Sequence, residues 1–195
     1  MKVSQFLELL RRAHLETDEG LRAQFDRSLS FADGLFDRWE RAKRLGFSKG
    51  ASIYNSALVY GNVQVGESTW VGPYTLLDGS GGEISIGSFC SISAGVHIYT
   101  HDTVMWALSG GKLKRRTGPV KIGDCCYIAS QCIIAPNVTI GRQCVVAANS
   151  FVNRDVDNRT IVGGNPVRVL GYVEGEGADV ELIFGNSDKG ESPIP

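Results

Sequence analysis

The chain has 195 residues, with 20 Lys and Arg against 21 Asp and Glu and a formal net charge of −1 at pH 7. An apolar fraction of 43% is enough to build the core of one compact domain and argues against disorder. The balanced charge provides no broad positive field for nucleic acid or an anionic membrane, so we expect neither as a partner.

Residues 1–48 are predicted to form two or three short helices packed on the first turn of the following domain. FLELLRRAHL and GLFDRWERAKRLGF place apolar residues at helical spacing, and Gly46 follows a basic turn as a helix cap. Glu8, Arg11 and Arg12 interrupt the apolar residues near the start, which excludes a signal-peptide core and a membrane span there. We therefore expect a cytoplasmic protein without membrane insertion.

Residues 49–172 contain an aliphatic residue at every sixth position, with few breaks. A strand alternates its faces with period two, so a period of six indicates a short strand followed by a turn. Three such hexads close one triangular coil, and stacked coils bury each other's interiors. The sequence predicts a mainly β protein, a parallel β-helix of about five coils. The repeated aliphatic residues are Ile53, Val59, Val65, Val71, Leu77, Ile86, Ile92, Ile98, Ile122, Ile128, Ile134, Ile140, Val146 and Val152.

Two interruptions break the hexads. The stretch DGSGGE adds three residues between Leu77 and Ile86, and the stretch THDTVMWALSGGKLKR after Ile98 adds about twelve. Loops that leave a rigid scaffold often carry function. The second loop contains a cationic patch at Lys112, Lys114, Arg115 and Arg116, which is either a solvated surface or a phosphate-binding one.

The odd number of cysteines, five, argues against a disulfide framework, and the absence of a CxxC pair argues against a zinc motif. Four of them occupy the small inward position of a hexad, where a compact and weakly polar side chain fits. Only Cys125 is out of phase, and we expect no covalent thiol intermediate. The inward cysteines are Cys90, Cys126, Cys132 and Cys144.

Residues 173–195 form an acidic, Gly-rich tail in which VELIF predicts a docking strand followed by a frayed end.

The hexads, the long loop after Ile98 and the ending GGNPVRVLG together resemble the hexapeptide-repeat acyltransferases, which include galactoside, maltose and xenobiotic acetyltransferases. The resemblance spans roughly residues 50–172. It implies a left-handed coil, an exception to the usual right-handed crossover. It also implies acetyl-CoA as the acyl donor, no metal, and a homotrimer with active sites between subunits.

His101, at the start of the long loop, matches the family's general base. An acceptor hydroxyl is a poor nucleophile until its proton is removed, and imidazole titrates near neutral pH. The β-helical carbonic anhydrases use three histidines on zinc. This chain has three in total, and His14 lies in the helical segment, so we expect no such site. His97, at a corner of its hexad, is interpreted as structural.

The other family positions carry over residue by residue, and each has a purely structural alternative. The backbone N–H of Ser130 matches the donor to the thioester oxyanion. Tyr127 stands where sugar acetyltransferases commonly have Trp. The residues matched to acetyl-CoA contacts are Tyr127, Ala148, Asn153, Arg154 and Arg168, and the candidate acceptor contacts are Tyr74, Asp78 and Trp106.

The resulting hypothesis is an acetyl-CoA-dependent acetyltransferase acting on a hydroxyl or amine of a sugar, free or carried on a nucleotide or lipid in polysaccharide biosynthesis. The alternatives are a xenobiotic acetyltransferase of the chloramphenicol or streptogramin type, a non-catalytic β-helical scaffold and a metal-dependent hydratase.

Overall fold

The computed structural model describes residues 2–185, which form a triangular β-helix preceded by three helices. The helices are α1 (Val3–Phe25), α2 (Phe31–Leu35), α3 (Arg38–Arg44) and α4 (Val104–Leu108). The strands are β1 (Ser52–Ile53), β2 (Leu58–Val65), β3 (Trp70–Val71), β4 (Leu76–Ile86), β5 (Ser91–Ile92), β6 (His97–Tyr99), β7 (His101–Asp102), β8 (Arg116–Thr117), β9 (Val120–Ile122), β10 (Tyr127–Ile128), β11 (Ile133–Ile134), β12 (Thr139–Ile140), β13 (Val145–Val146), β14 (Phe151–Val152), β15 (Thr160–Gly163), β16 (Arg168–Glu174) and β17 (Glu181–Phe184).

The strands form the three faces of a prism, and neighbouring coils pair in parallel. The first face contains β1, β3, β5, β10, β13 and β15. The second face contains the first halves of β2 and β4, followed by β6, β11 and β14. The third contains the second halves of β2 and β4, followed by β9 and β12, and a bridge from Ile140 to Val156 extends it. The predicted β-helix of about five coils is confirmed.

The interior consists of ladders in which equivalent residues of successive coils stack. On the first face Val71, Ile92, Ile128, Val146 and Val162 are aligned, and all are buried. Removing such a side chain from water contributes roughly 1.5–3 kcal/mol. The hexad positions predicted to point inward do so, with Val59 only partly buried near the first coil.

Most corners contain a residue in the left-handed conformation, three positions after a large inward residue. Most of these residues are not glycine, although this conformation is unfavourable for side chains with a Cβ. They have φ between 54° and 64° and are Ser68, Tyr74, Phe89, Cys125, Gln131, Asn137, Gln143 and Asn149. The out-of-phase position of Cys125 is therefore a corner position.

The N-terminal helices close the first coil through α3 rather than through α1. Arg41 of α3 donates to the backbone carbonyls of Tyr54 and Ala57, and α3 packs on β1. The cap at Gly46 forms as predicted, with the Phe47 N–H bonded to the Ala42 carbonyl. In contrast, α1 packs on α2 and contains no buried residue. The expectation that every helix packs on the first coil is wrong for α1.

Both predicted interruptions are present. Residues 80–83 of β4 lie opposite the single residue Asn62 of β2, which produces the three-residue bulge. The long loop leaves the prism through β7 and returns through β8, and these two strands pair antiparallel.

At the far end of the prism, β16 and β17 extend the first face antiparallel, so the VELIF segment docks as a strand. The remainder of the predicted frayed end, residues 186–195, lies outside the described residues. Within 2–185 no helix is both long and apolar enough to cross a membrane.

Candidate functional site

The base of the long loop is fixed by an ion pair. Asp102 of β7 accepts from Arg116 of β8 at 2.7 Å and 3.0 Å through Oδ2, and from the Val104 N–H at 3.0 Å through Oδ1. The hydrogen bond from Arg116, followed by that from Val104, holds the pKa of Asp102 below its usual value. This pair keeps the two ends of the loop together beside His101.

His101 lies next to a buried carboxylate and a serine. Its Nδ1 is 3.4 Å from Ser80 Oγ and 3.7 Å from Asp78 Oδ2. Ser80 Oγ in turn donates to Asp78 Oδ1 at 2.6 Å, and the Ser80 N–H donates to the same oxygen at 3.1 Å. Asp78 is only 8% exposed, so its carboxylate is held by these contacts rather than by bulk water.

His101 and Asp78 line a cavity of about 1100 Å³ between the second face and the long loop. Its polar groups come mainly from the loop base and from Asp78 of β4, and its apolar wall comes from the outer surface of β11 and β14. The lining includes Asp78, Tyr99, His101, Asp102, Arg116, Thr117, Ile133, Phe151 and Asn153. The structure thus brings together three residues predicted for the site: His101, Asp78 and Asn153.

Two other predicted residues line a different cleft. Arg154 and Arg168 line a second, smaller cleft of about 150 Å³, together with Tyr172. Asn153 lines the large cavity and the next residue, Arg154, lines the small cleft.

Tyr127, Ser130 and Ala148 do not line the cavity of their own chain. Tyr127 lies on the outside of the first face, 42% exposed, and the other two occupy the corner between the first and second faces. The cavity is at the opposite edge of the second face. Within residues 2–185 the Ser130 N–H has no hydrogen-bond acceptor, so it remains available to a ligand.

Tyr74 and Trp106, the remaining acceptor candidates, also lie outside the cavity. Tyr74 is a left-handed corner residue and 64% exposed, and Trp106 is 53% exposed on α4 of the long loop. Neither side chain contributes to the lining of either cleft.

The sequence did not single out Ser80, Tyr99, Thr117, Ile133 or Phe151 for this site. Tyr99 reaches it because β6 pairs with β4 and places Tyr99 directly beside Asp78. Ser80 lies in the DGSGGE stretch, so the interruption of the repeat was a usable signal. Ile133 and Phe151 are outward residues of ordinary hexads, which the period does not distinguish from solvated ones.

His97 lies on β6, outside the cavity lining, and its Nδ1 is 3.3 Å from the Tyr99 hydroxyl. In the described part of the chain, no three His, Cys, Asp or Glu side chains are grouped to hold a metal ion.

The four inward cysteines are buried and Cys125 is exposed. Hydrogen bonding to the thiols of Cys144 and Cys90, together with burial, raises the pKa of Cys126. Burial also raises the pKa of Cys132. Such thiols are poor nucleophiles, because the thiolate is the reactive form.

The family model, the relatives and the solved structures that resemble this chain all belong to transferases. Residues 119–154 match the family model described as bacterial transferase hexapeptide (six repeats). The chain is 30% identical over 135 residues to the putative colanic acid biosynthesis acetyltransferase WcaF of Escherichia coli K12, covering 62% of this chain and 69% of WcaF. It is also 30% identical over 107 residues to a chloramphenicol acetyltransferase of Escherichia coli, covering 45% of this chain. That alignment spans only about half of the relative, 50% of its length.

Two solved structures share the fold over most of their length. The hexapeptide-repeat acetyltransferase VCA0836 of Vibrio cholerae, complexed with acetyl-CoA, superposes with a TM-score of 0.58 at 27% identity, covering 89% of this chain and 92% of that one. The D94A mutant of AntD, an N-acyltransferase of Bacillus cereus in complex with dTDP and coenzyme A, gives 0.57 at 27% identity, covering 68% and 88%.

Proposed function

Because the chain belongs to the hexapeptide-repeat acetyltransferase family, whose coils form a left-handed β-helix, we propose that it transfers an acetyl group from acetyl-CoA to a hydroxyl or amine of a sugar. The observation that carries the proposal is the position of His101. It lies at the wall of the large cavity, with Nδ1 facing Ser80 and Asp78.

In this mechanism His101 is the general base. Its second ring nitrogen, Nε2, takes the proton of the acceptor group as that group attacks the thioester carbonyl. A new C–O or C–N bond forms, the C–S bond breaks, and His101 returns the proton to the departing thiolate of coenzyme A. A positioned base of this kind contributes about 10²–10⁴-fold in rate. The Asp78 carboxylate stabilises the imidazolium formed between the two proton transfers.

The donor side of the site rests on other residues of the chain. The free N–H of Ser130 is suited to donate to the oxyanion that develops on the thioester carbonyl. Arg154 and Arg168 face one cleft and are suited to the phosphates of coenzyme A, since guanidinium groups bind phosphate oxygens in pairs. Asn153, the neighbour of Arg154 in the chain, lines the cavity that holds His101.

The division of these residues between two edges of one face supports an active site assembled from two prisms. His101, Asp78 and Asn153 lie at one edge, while Ser130 and Ala148 lie at the other. A neighbouring copy would place its second edge opposite the first, as expected for a homotrimer with sites between subunits.

A sugar acceptor is favoured by the polar groups of the cavity and by two relatives. Asp78, Asp102, Thr117 and Asn153 supply hydrogen-bonding groups for several hydroxyls. WcaF is named for colanic acid biosynthesis, and AntD was solved with dTDP. The similarity to chloramphenicol acetyltransferase supports the xenobiotic alternative.

The test is a thiol-release assay with acetyl-CoA against free sugars, nucleotide-linked aminosugars and chloramphenicol. We expect turnover with one sugar class and a loss of about 10²-fold or more in His101→Ala. The matched control is His14→Ala, because His14 lies on α1 and packs against Phe31, outside both clefts. Equal activity of His101→Ala and wild type would refute the base, and turnover of chloramphenicol alone would establish the xenobiotic alternative.

A further inference from the structure

The three-residue bulge of β4 is built around His101. The Thr100 hydroxyl donates to the Asp78 carbonyl at 2.6 Å and accepts from the Gly81 N–H at 2.9 Å, which ties the bulge to the residue before the histidine. A Cβ at Gly81 would lie 2.5 Å from the Cβ of His101. Glycine is therefore required at position 81 because His101 approaches so closely, and the bulge forms the surface against which the His101 side chain packs.

Within the bulge, the Ser80 hydroxyl determines the direction of its hydrogen bonds with Asp78 and His101. A carboxylate accepts hydrogen bonds and donates none, so the 2.6 Å contact requires the Ser80 proton to point at Asp78 Oδ1. The lone pairs of Ser80 Oγ then remain for the other neighbour, His101 Nδ1, at 3.4 Å.

His101 and Asp78 are not joined by a direct hydrogen bond. The distance of 3.7 Å from His101 Nδ1 to Asp78 Oδ2 is too long for a hydrogen bond. The link from the histidine to the carboxylate therefore passes through the serine hydroxyl.

Ser80 is also held from the side of the long loop. Its backbone carbonyl accepts a hydrogen bond from Arg115 Nη2 at 3.1 Å. The serine thus joins the buried carboxylate of the prism, the histidine at the loop base and a cation of the loop itself.

We propose that Ser80 is a positioning residue that holds His101 in the Nδ1–H tautomer, donating to Asp78 and accepting from His101, so that Nε2 carries the lone pair that acts as base. The catalytic consequence rests on the proposed function of His101, whereas the tautomer itself does not. A neutral imidazole bears one proton, and a fixed acceptor at Nδ1 decides which nitrogen carries it.

The tautomer can be measured without turnover. In ¹⁵N-labelled protein, long-range ¹H–¹⁵N correlations distinguish a protonated from an unprotonated ring nitrogen, and only His14, His97 and His101 contribute. At a pH where the rings are neutral, we expect the Nδ1–H form for His101, assigned by its loss in His101→Gln. Ser80→Ala should shift it toward the Nε2–H form, and Ser80→Thr should retain it. An Nε2–H ring in wild type, or no change in Ser80→Ala, would overturn the proposal.

Kinetics test the consequence with the acceptor found in the thiol-release panel. We expect Ser80→Ala to lower kcat roughly ten- to hundredfold, part of the contribution of a positioned base, while KM for acetyl-CoA stays within about twofold. Ser80→Thr should recover most of kcat. Ser85→Ala is the matched control, because Ser85 lies on the same strand and its side chain, unlike that of Ser80, contacts neither Asp78 nor His101. If no acceptor turns over, the proposed function fails while the tautomer measurement still decides the role of Ser80.

Discussion

At the residue scale, the corner position determines how exposed a side chain is. Cys125 follows Ile122 by three positions and adopts the left-handed conformation with φ 58°, so its side chain points away from the prism. Cys126, the next residue, is buried at the small inward position. Adjacent thiols of the same chain therefore have opposite environments.

This difference predicts a single reactive thiol. In the folded protein we expect Ellman's reagent to modify one cysteine rapidly, Cys125, because the other four are buried, including Cys144, whose pKa is lowered to about 7 by hydrogen bonding to Cys126. All five should react in denaturant, and Cys125→Ser should remove the rapid phase. A rapid phase that persists in Cys125→Ser would contradict the buried placement of the remaining thiols.

At the element scale, each two-residue strand contributes one inward side chain to a ladder, and the ladder carries the stability. Ile128 of β10 is fully buried between Ile92 and Val146, whereas Ile183 of β17 is 40% exposed on the terminal strand. Ile128→Ala should lower the free energy of unfolding by about 2–5 kcal/mol through lost burial and a cavity. The same change at Ile183 should cost about 1 kcal/mol or less.

Chemical denaturation of the two variants measures this difference, and Ile183→Ala serves as the control for the chemistry of the substitution. Equal losses at the two positions would mean that the ladder on the first face is not the main source of stability.

The packing of individual elements also explains which of them the sequence could predict. An inward position depends only on its place in its own hexad, so the period alone predicted the ladder from Ile53 to Val152. The packing of α1 depends on which surface it meets, and its apolar spacing was equally compatible with α2 and with the first coil. Sequence reasoning could not choose between them.

The residues of the candidate site also divide into those that the sequence predicts and those that it does not. His101 was predicted because it begins the long loop, at the position where the resemblance to the hexapeptide-repeat acyltransferases implies a general base. The role of Ser80 depends on the bulge and on the pairing of β4 with β6, which bring Asp78, Ser80 and His101 together across two coils. Ser130 and His101 are separated because they lie at different corners of the prism. A sequence motif does not show which corner a residue occupies.

At the scale of the whole molecule, the second face of the prism carries apolar side chains on its outer surface. Leu58 is 50% exposed, Tyr60 47% and Ile133 42%, and they lie along one face rather than scattered over the surface. Exposed apolar patches of this kind mark interaction surfaces. Together with the two separated edges of the site, they support assembly of the prisms around this face.

We therefore expect a trimer with a molar mass of about 63 kDa by light scattering, three times the 21.1 kDa of one chain. Mixed trimers test the sharing of active sites. His101→Ala removes the base, and Ser130→Pro removes the backbone N–H. The corner tolerates proline, because Pro73 and Pro136 occupy the equivalent hexad position.

Each variant alone should be inactive, and co-expression should restore part of the activity, because an intact His101 of one subunit then meets an intact Ser130 of its neighbour. Co-expression of His101→Ala with a second copy of itself under another tag is the control, and it should remain inactive. A monomeric mass, or no recovery in trimers that contain both variants, would place the whole site within one chain.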